Sequence, residues 1–379
     1  MAQPDNFGFG EEATLLKESA RKFFADNLSI DQLHALVAAD PEPRREPACL
    51  WREDLWQQMV ELGWTALAVP EAAGGLEMPL AAVAGLVEEV GRAAFPCPLL
   101  GTLNATYVLA ACGDAGLGAL EELAGGQAAT LAITDKRGSW DSANSGVRVE
   151  SRQLSGWASY AQDAQKVQKV LVSALDGADL KLYWVDVTAP GVSVRSDNIV
   201  DLTRDQARIQ FDGVVIDNEH VVEVSAEGAD ALDRAMPAVW TLLAADMCGA
   251  GEWQLQTTVE YANARQQFDH PLGFFQAVKH PLVNVMIEID KARSLVYNAA
   301  CAYDHEPDFA ARYAHMAKSA ASDMADFASG RSVQFHGGIG FTWECYVHLY
   351  FKRQKHSQLL FGDGPWHRAR LAELIIDAA

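Results

Sequence analysis

The spacing of apolar residues changes character twice along this chain of 379 residues, and those two changes limit the fold more than any other property. From Glu11 to about Gly126 the apolar positions recur at helical intervals. Leu15, Leu16, Ala20, Phe23 and Phe24 form one stripe, and Leu55, Met59, Val60 and Leu62 form another after the loop at residues 39–44. Residues 62–75 read as a turn-rich connector into a helix over 80–90, which Gly91 is expected to cap. Near Ala128 the pattern shortens. Runs rich in β-formers follow at 130–134, 147–149, 167–174, 180–187, 192–194 and 207–216. Ser155-Gly156, Asp176-Gly177 and Pro190-Gly191 separate several of them, as in a compact antiparallel β domain. From Ala229 the helical spacing returns, with Val278, Leu282, Val285, Met286, Ile289, Leu295 and Val296 on one stripe and Ala317, Ala320, Ala321, Met324, Phe327 and Ala328 on another. The small residues Ala244, Ala245, Gly249, Ala250 and Gly251 let neighbouring helices approach closely. Glycine costs helix stability, so packing must compensate for it there. The expected class is α+β in three parts: a helical domain over 1–126, a β domain over 127–225 and a second helical domain over 226–379.

Composition narrows the function classes. Apolar residues make up 49% and charged residues 21%, an ordinary globular balance. A net charge of -21 argues against nucleic acid and anionic membranes as partners, and requires any anionic ligand to be met by locally placed Arg, Lys or helix N-termini. Cys49, Cys97, Cys112, Cys248, Cys301 and Cys345 show no C-x-x-C spacing, so reduced thiols in a cytoplasmic protein are expected, with neither a disulfide frame nor a metal site. No basic-then-apolar leader opens the chain and no apolar run reaches membrane-spanning length; a soluble protein is expected.

Two motifs in the last third carry the most chemistry. The first is Arg265-Gln266-Gln267-Phe268-Asp269-His270-Pro271-Leu272-Gly273, followed by Phe275-Gln276-Ala277-Val278-Lys279-His280. The second is Gln334-Phe335-His336-Gly337-Gly338-Ile339-Gly340-Phe341-Thr342, where a long helix runs into a glycine pair. Read alone, Arg265 is a dipole-favoured cation at a helix C-terminus, and Gly337-Gly338 is a chain turn. Together the motifs resemble the acyl-CoA dehydrogenases, and the resemblance covers nearly the whole chain. It implies that family's fold, with a four-helix-bundle-like C-terminal domain, and its reaction, α,β-desaturation of an acyl-CoA with FAD. It implies that Arg265 meets the FAD pyrophosphate, where a planar donor fork suits phosphate oxygens. Phe268 and Gln276 belong to the same patch. Gln334, Gly337 and Gly338 would bind the ADP half across a subunit interface, and His336 would pack or cap.

Other family features are missing. A Thr-Glu-Pro-x-Ala-Gly-Ser-Asp stretch normally wraps the flavin; the matching place reads Ile133-Thr134-Asp135-Lys136-Arg137-Gly138-Ser139-Trp140. A Trp-Ile-Thr or Trp-Ile-Ser run normally serves flavin N5; here it is Tyr160-Ala161-Gln162. Removing an α-proton requires a desolvated carboxylate over Cα. The family's usual glutamate position is Gly362, and the other place it uses falls near Val239-Trp240-Thr241. Asp363 is the nearby substitute, although Asp363-Gly364-Pro365-Trp366 also reads as a helix start with Asp363 as its cap. This combination, with Trp343-Glu344, His348-Leu349-Tyr350 and His367-Arg368, resembles the base-lacking subunit of bacterial α2β2 acyl-CoA dehydrogenases of steroid catabolism. The implied partners are an acyl-CoA, a base-bearing second dehydrogenase subunit and an electron-transfer flavoprotein. A self-sufficient homo-oligomer using Asp363, and a non-catalytic acyl-CoA- or flavin-binding scaffold, remain as alternatives.

Overall fold

A computed structural model describes residues 9–38, 50–216 and 220–377; the loop expected at 39–44 and Cys49 lie outside them. Helices α1 (Glu11–Asn27), α2 (Ile30–Val37), α3 (Glu53–Glu61), α4 (Leu80–Ala93), α5 (Leu99–Ala111) and α6 (Leu117–Ala124) precede a sheet. The sheet contains β1 (Ala129–Ala132), β2 (Val147–Glu150), β3 (Gln153–Gln162), β4 (Lys169–Asp176), β5 (Asp179–Asp186), β6 (Val192–Ser196), β7 (Gln206–Val215) and β8 (Val221–Ser225). Then come α7 (Gly228–Ala264), a two-stranded hairpin of β9 (Gln266–Gln267) and β10 (His270–Pro271), α8 (Gln276–His305), α9 (Pro307–His336), α10 (Val347–Leu359) and α11 (Gly364–Ala372). Helices, a middle sheet, and helices again: the expected fold class is what the chain adopts.

The strand order is β6-β7-β3-β2-β4-β5-β8, with β1 beside β4. These pairings are antiparallel except that β1 and β2 run parallel to β4. The sequence runs did not reveal β3, although it is one of the two longest strands. Its pairing with β7 shifts register between Leu154 and Gly156 and again between Ala158 and Ala161, so the alternation that marks a strand is broken twice. The second break sets Tyr160 at φ 59°, a left-handed conformation unusual for a bulky residue.

Gly91 does not cap its helix. It lies inside α4, which ends instead on Ala94 at φ 49°. A Cβ on Gly91 would overlap the Asp246 carbonyl oxygen on α7, and one on Gly249 would overlap the Glu88 carbonyl oxygen on α4. The two glycines therefore let these helix backbones touch, which is why the core tolerates them mid-helix.

Beside this contact Asp246 is buried and paired with Arg204, which reaches in from the segment before β7 at 2.6 Å, and with Arg353 of α10. Arg353 also donates to Thr203 Oγ1 at 3.0 Å, and Thr203 Oγ1 donates to Asp201 Oδ1 at 2.7 Å. Burial alone would raise the Asp201 carboxyl. The hydrogen bond from His356 and the charges of His356, Arg353 and Arg204 outweigh it and hold the group well below the usual carboxylate range. The network fastens one end of the sheet to α7 and α10.

Two helix glycines should respond oppositely to the same change. Gly249→Ala should lower stability by about 1–3 kcal/mol through overpacking. Gly330→Ala, in α9 with open space where its Cβ would sit, should be neutral or stabilising by up to about 1 kcal/mol. Denaturant melts of the two variants beside the wild type check the pair, and equal responses would contradict the close-contact argument.

Candidate functional site

The two C-terminal motifs converge because α7 and α9 end side by side. Tyr261, one turn before the end of α7, stacks on His336 at the end of α9, with ring centroids 4.4 Å apart. Deeper in the pair, Thr258 donates to Ser332 Oγ at 2.8 Å in a buried contact. His336 is buried and its Nδ1 bonds the Ser332 carbonyl at 2.8 Å, which makes that nitrogen the donor. His336 thus packs between the motifs.

Arg265 is the C-cap residue of α7 and is exposed. The hairpin after it turns at Phe268 and Asp269, both at positive φ (52° and 61°), which leaves Phe268 82% exposed. Leu272 N bonds Arg265 O at 2.8 Å, closing the hairpin onto the helix end. Gln276 is the first residue of α8 and is exposed. Gln334 is exposed on the last turn of α9, and Gly337 follows as its C-cap at φ 66°, a conformation that favours glycine. Neither Gly337 nor Gly338 has an atom within 4 Å of where a Cβ would sit. The six residues Arg265, Phe268, Gln276, Gln334, Gly337 and Gly338 thus sit on the ends of three helices and one hairpin, all open to solvent.

The middle-domain residues are arranged very differently. Thr134 and Ser159 form a bridge, with Ser159 N donating to Thr134 O at 2.8 Å. Gln162 turns inward and donates to Tyr160 O at 3.1 Å and Gln206 Oε1 at 3.3 Å. Trp140 packs against Phe361 at 5.0 Å and faces Tyr160 at 6.3 Å between centroids. Thr134, Trp140, Tyr160, Gln162 and Phe361 surround an enclosed cavity of only about 20 Å³, room for roughly one water. Beneath it, Lys166 pairs with Asp163 at 2.5 Å, both fully buried. Burial, partly opposed by Lys166, raises the Asp205 carboxyl to about 6.

Neither position at which the resemblance leads one to expect a carboxylate base holds one. Val239, Trp240 and Thr241 are buried, and the Thr241 hydroxyl donates to Pro237 O at 2.7 Å within α7. Gly362 sits at φ +100°, and a Cβ there would run into the Trp366 ring. Trp366 occupies the room that a longer side chain at 362 would need. Asp363 is the N-cap of α11, and its carboxylate accepts from Trp366 N at 2.8 Å. Sequence reasoning missed Lys318, which is fully buried and donates to Gly362 O at 2.9 Å, Gln358 O at 3.2 Å and Ser322 Oγ at 3.3 Å. Burial lowers its ammonium to about 7. Nothing in a helical sequence marks a lysine that turns inward to hold a loop.

Sequence models of the acyl-CoA dehydrogenase N-terminal and C-terminal domains match residues 10–127 and 227–376. The chain belongs to the acyl-CoA dehydrogenase family. An acyl-CoA dehydrogenase of Mycobacterium tuberculosis, IpdE2, is 33% identical over 92% of this chain and 93% of its own length. Among solved structures, a variant of the Tcur3481-Tcur3483 steroid acyl-CoA dehydrogenase superposes with a TM-score of 0.84 at 31% identity, covering 98% of this chain and 99% of that one. The butyryl-CoA dehydrogenase of Megasphaera elsdenii shares the fold, with a TM-score of 0.84 at 21% identity over 97% of this chain and 98% of its own. The family is one of oxidoreductases. Among the described residues no helix is long and apolar enough to cross a membrane.

The cap geometry gives a direct expectation for Asp363. Asp363→Ala should lower stability by about 1 kcal/mol, whereas Asp363→Asn, an equally good cap, should leave it nearly unchanged. Thermal melts of both variants test this, and equal losses would mean that the charge rather than the cap matters.

Proposed function

We propose that this chain is the base-lacking subunit of a heteromeric, FAD-dependent acyl-CoA dehydrogenase. In this reading it holds the ADP half of a flavin whose ring lies in the partner subunit. The carrying observation is the contrast between the two candidate halves: the six residues at the helix ends are open and convergent, while the space that Thr134 and Gln162 line, behind Trp140 and Tyr160, is only about 20 Å³.

The ADP half fits this chain. Arg265 offers a guanidinium fork for a pyrophosphate, the exposed first turn of α8 offers the backbone N–H groups of a helix N-terminus, and bare backbone at Gly337 and Gly338 allows close approach. In a chain with net charge -21, such local donors are what an anionic cofactor needs. The ring half does not fit. Pockets that take a cofactor ring system are on the order of 300 Å³ or more; Thr134 and Gln162 line a space of only about 20 Å³ and reach neither wall of the neighbouring 430 Å³ cleft that Trp140 and Tyr160 also line.

The assembled enzyme would carry out α,β-desaturation of an acyl-CoA and pass the electrons to an electron-transfer flavoprotein. Bound flavin supplies the hydride-accepting chemistry, and the partner subunit supplies the base. This chain's share is to orient the cofactor and to complete the assembly. Exposed apolar side chains gather on the same stretch, Val259, Phe268, Phe274, Val283, Met286 and Ile287, as expected of a surface that another chain covers. The relatives support the finer reading. Tcur3481-Tcur3483 is a steroid acyl-CoA dehydrogenase with two named components. The ChsE4-ChsE5 complex of Mycobacterium tuberculosis, 22% identical with a TM-score of 0.83 over 97% of this chain and 98% of that one, has the same fold. A steroid-derived acyl group is the substrate class this favours. A self-sufficient enzyme would need Asp363 as base, and one oxygen of that carboxylate already caps α11.

Expressed alone, the chain should retain little FAD; co-expressed with its partner it should give about one flavin per heterodimer, read from the flavin absorbance after gel filtration. A yellow, active homo-oligomer with one flavin per chain would overturn the proposal. Within the assembled complex, Arg265→Ala should weaken FAD retention by about 1.5–3 kcal/mol, the usual worth of a charged hydrogen bond. Unchanged flavin content in that variant would remove Arg265 from the site.

A further inference from the structure

The segment between β1 and β2 borders three separate spaces. One is the enclosed cavity of about 20 Å³. The second is a largely apolar cleft of about 430 Å³ walled by Tyr160, Ile199, Val200, Leu359 and Leu360, of which Tyr160 and Leu360 also border the small cavity. The third is a pocket of about 290 Å³ between Met236, Trp240 and Trp366. Trp140 lines all three, and among the described residues it is the one side chain that their walls share.

The enclosed cavity also differs from an ordinary core void. Asn104 and Gln162, only 3% and 9% exposed, line it, and each has a buried side-chain oxygen without a hydrogen-bond partner. Buried acceptors left unpaired are costly, and apolar voids do not carry them. Two unpaired acceptors beside the space that Trp140 borders make its wall polar, unlike that of an ordinary core void.

Resting on the reading above, we infer that Trp140 is a plug: its indole keeps this chain from taking a flat, flavin-type ring, and Asn104 and Gln162 form the polar floor that a ring N–H would meet behind it. The local structure suits a plug rather than a core element. Trp140 is half-buried and lies on a turn-rich connection, where Asp135 Oδ1 accepts from Arg137 N at 2.9 Å and Ser139 N at 3.2 Å. Shortening the side chain removes no strand pairing, and its loss falls on the packing against Phe361 at the edge of the core. It would join the small cavity to the two larger spaces.

The test uses the full-length chain purified without a partner and titrated with riboflavin, which presents the ring alone, with quenching of flavin fluorescence as the readout. Wild type should show no saturable quenching. Trp140→Ala should show saturable binding at least about ten-fold tighter, and Trp140→Leu, which preserves more packing, a smaller gain in the same direction. Adding Gln162→Leu to Trp140→Ala should remove most of that gain. Alanine and leucine variants with wild-type circular dichroism and melting that bind no better than wild type would overturn the plug. A wild-type chain that itself takes up one ring per chain would instead overturn the division of the flavin between two subunits, so the two failures are distinguishable. If Trp140→Ala does not fold, the leucine variant decides alone.

Discussion

The buried carboxylate of Asp246 is the point on which the rest of this molecule depends. It sits on α7 where that helix touches α4, and its charge is met by two guanidinium groups that arrive from different parts of the chain. An unpaired charge there would be untenable, and removing one partner of a buried pair costs about 3–5 kcal/mol. Arg204 and Arg353 must therefore both be in place, and with them the segment before β7 and the whole of α10. The position of the sheet against the helices follows from electrostatics as much as from apolar packing. Because α7 also ends at Arg265, the same helix that anchors the core presents the first of the two C-terminal motifs at its far end.

Around that anchor the molecule divides its candidate site into an open half and a closed half. The open half is built from helix termini, where unpaired backbone groups and capping residues face solvent and can meet an anion. The closed half is built from the bulged end of β3 and the loop after α10, where Trp140, Tyr160, Phe361 and Trp366 fill space. Both halves follow from local geometry. The left-handed turns at Phe268 and Asp269 leave their side chains outside and the one at Gly337 leaves bare backbone open, whereas those at Tyr160, Phe361 and Gly362 belong to the filled side.

Lys318 shows how much a single inward side chain can organise. Its ammonium has three donors and meets three acceptors, two of them backbone carbonyls, Gln358 in the last turn of α10 and Gly362 in the loop that leads to α11. That loop holds Phe361 against Trp140 and places Asp363 as a cap. The loop is therefore fixed by the helix beneath it, and the absence of an acid at position 362 is matched by a ring, Trp366, that leaves no room for one.

The sequence by itself determined the order of helices, sheet and helices, because periodicity of apolar residues is a local property that survives without knowledge of what packs where. It determined the two C-terminal motifs, and it flagged Asp363 as a cap beside its other reading, because capping chemistry is set by neighbours within a few residues. It did not show β3, whose two bulges erase the alternation, and it misplaced the role of Gly91, read as a helix end. Only the tertiary structure decided that Gly91 exists for contact with α7, that Tyr261 and His336 bring the motifs together, and that Trp140 stands between three spaces. Those facts depend on residues far apart in the chain meeting at van der Waals distance, and no local pattern encodes which of them will meet.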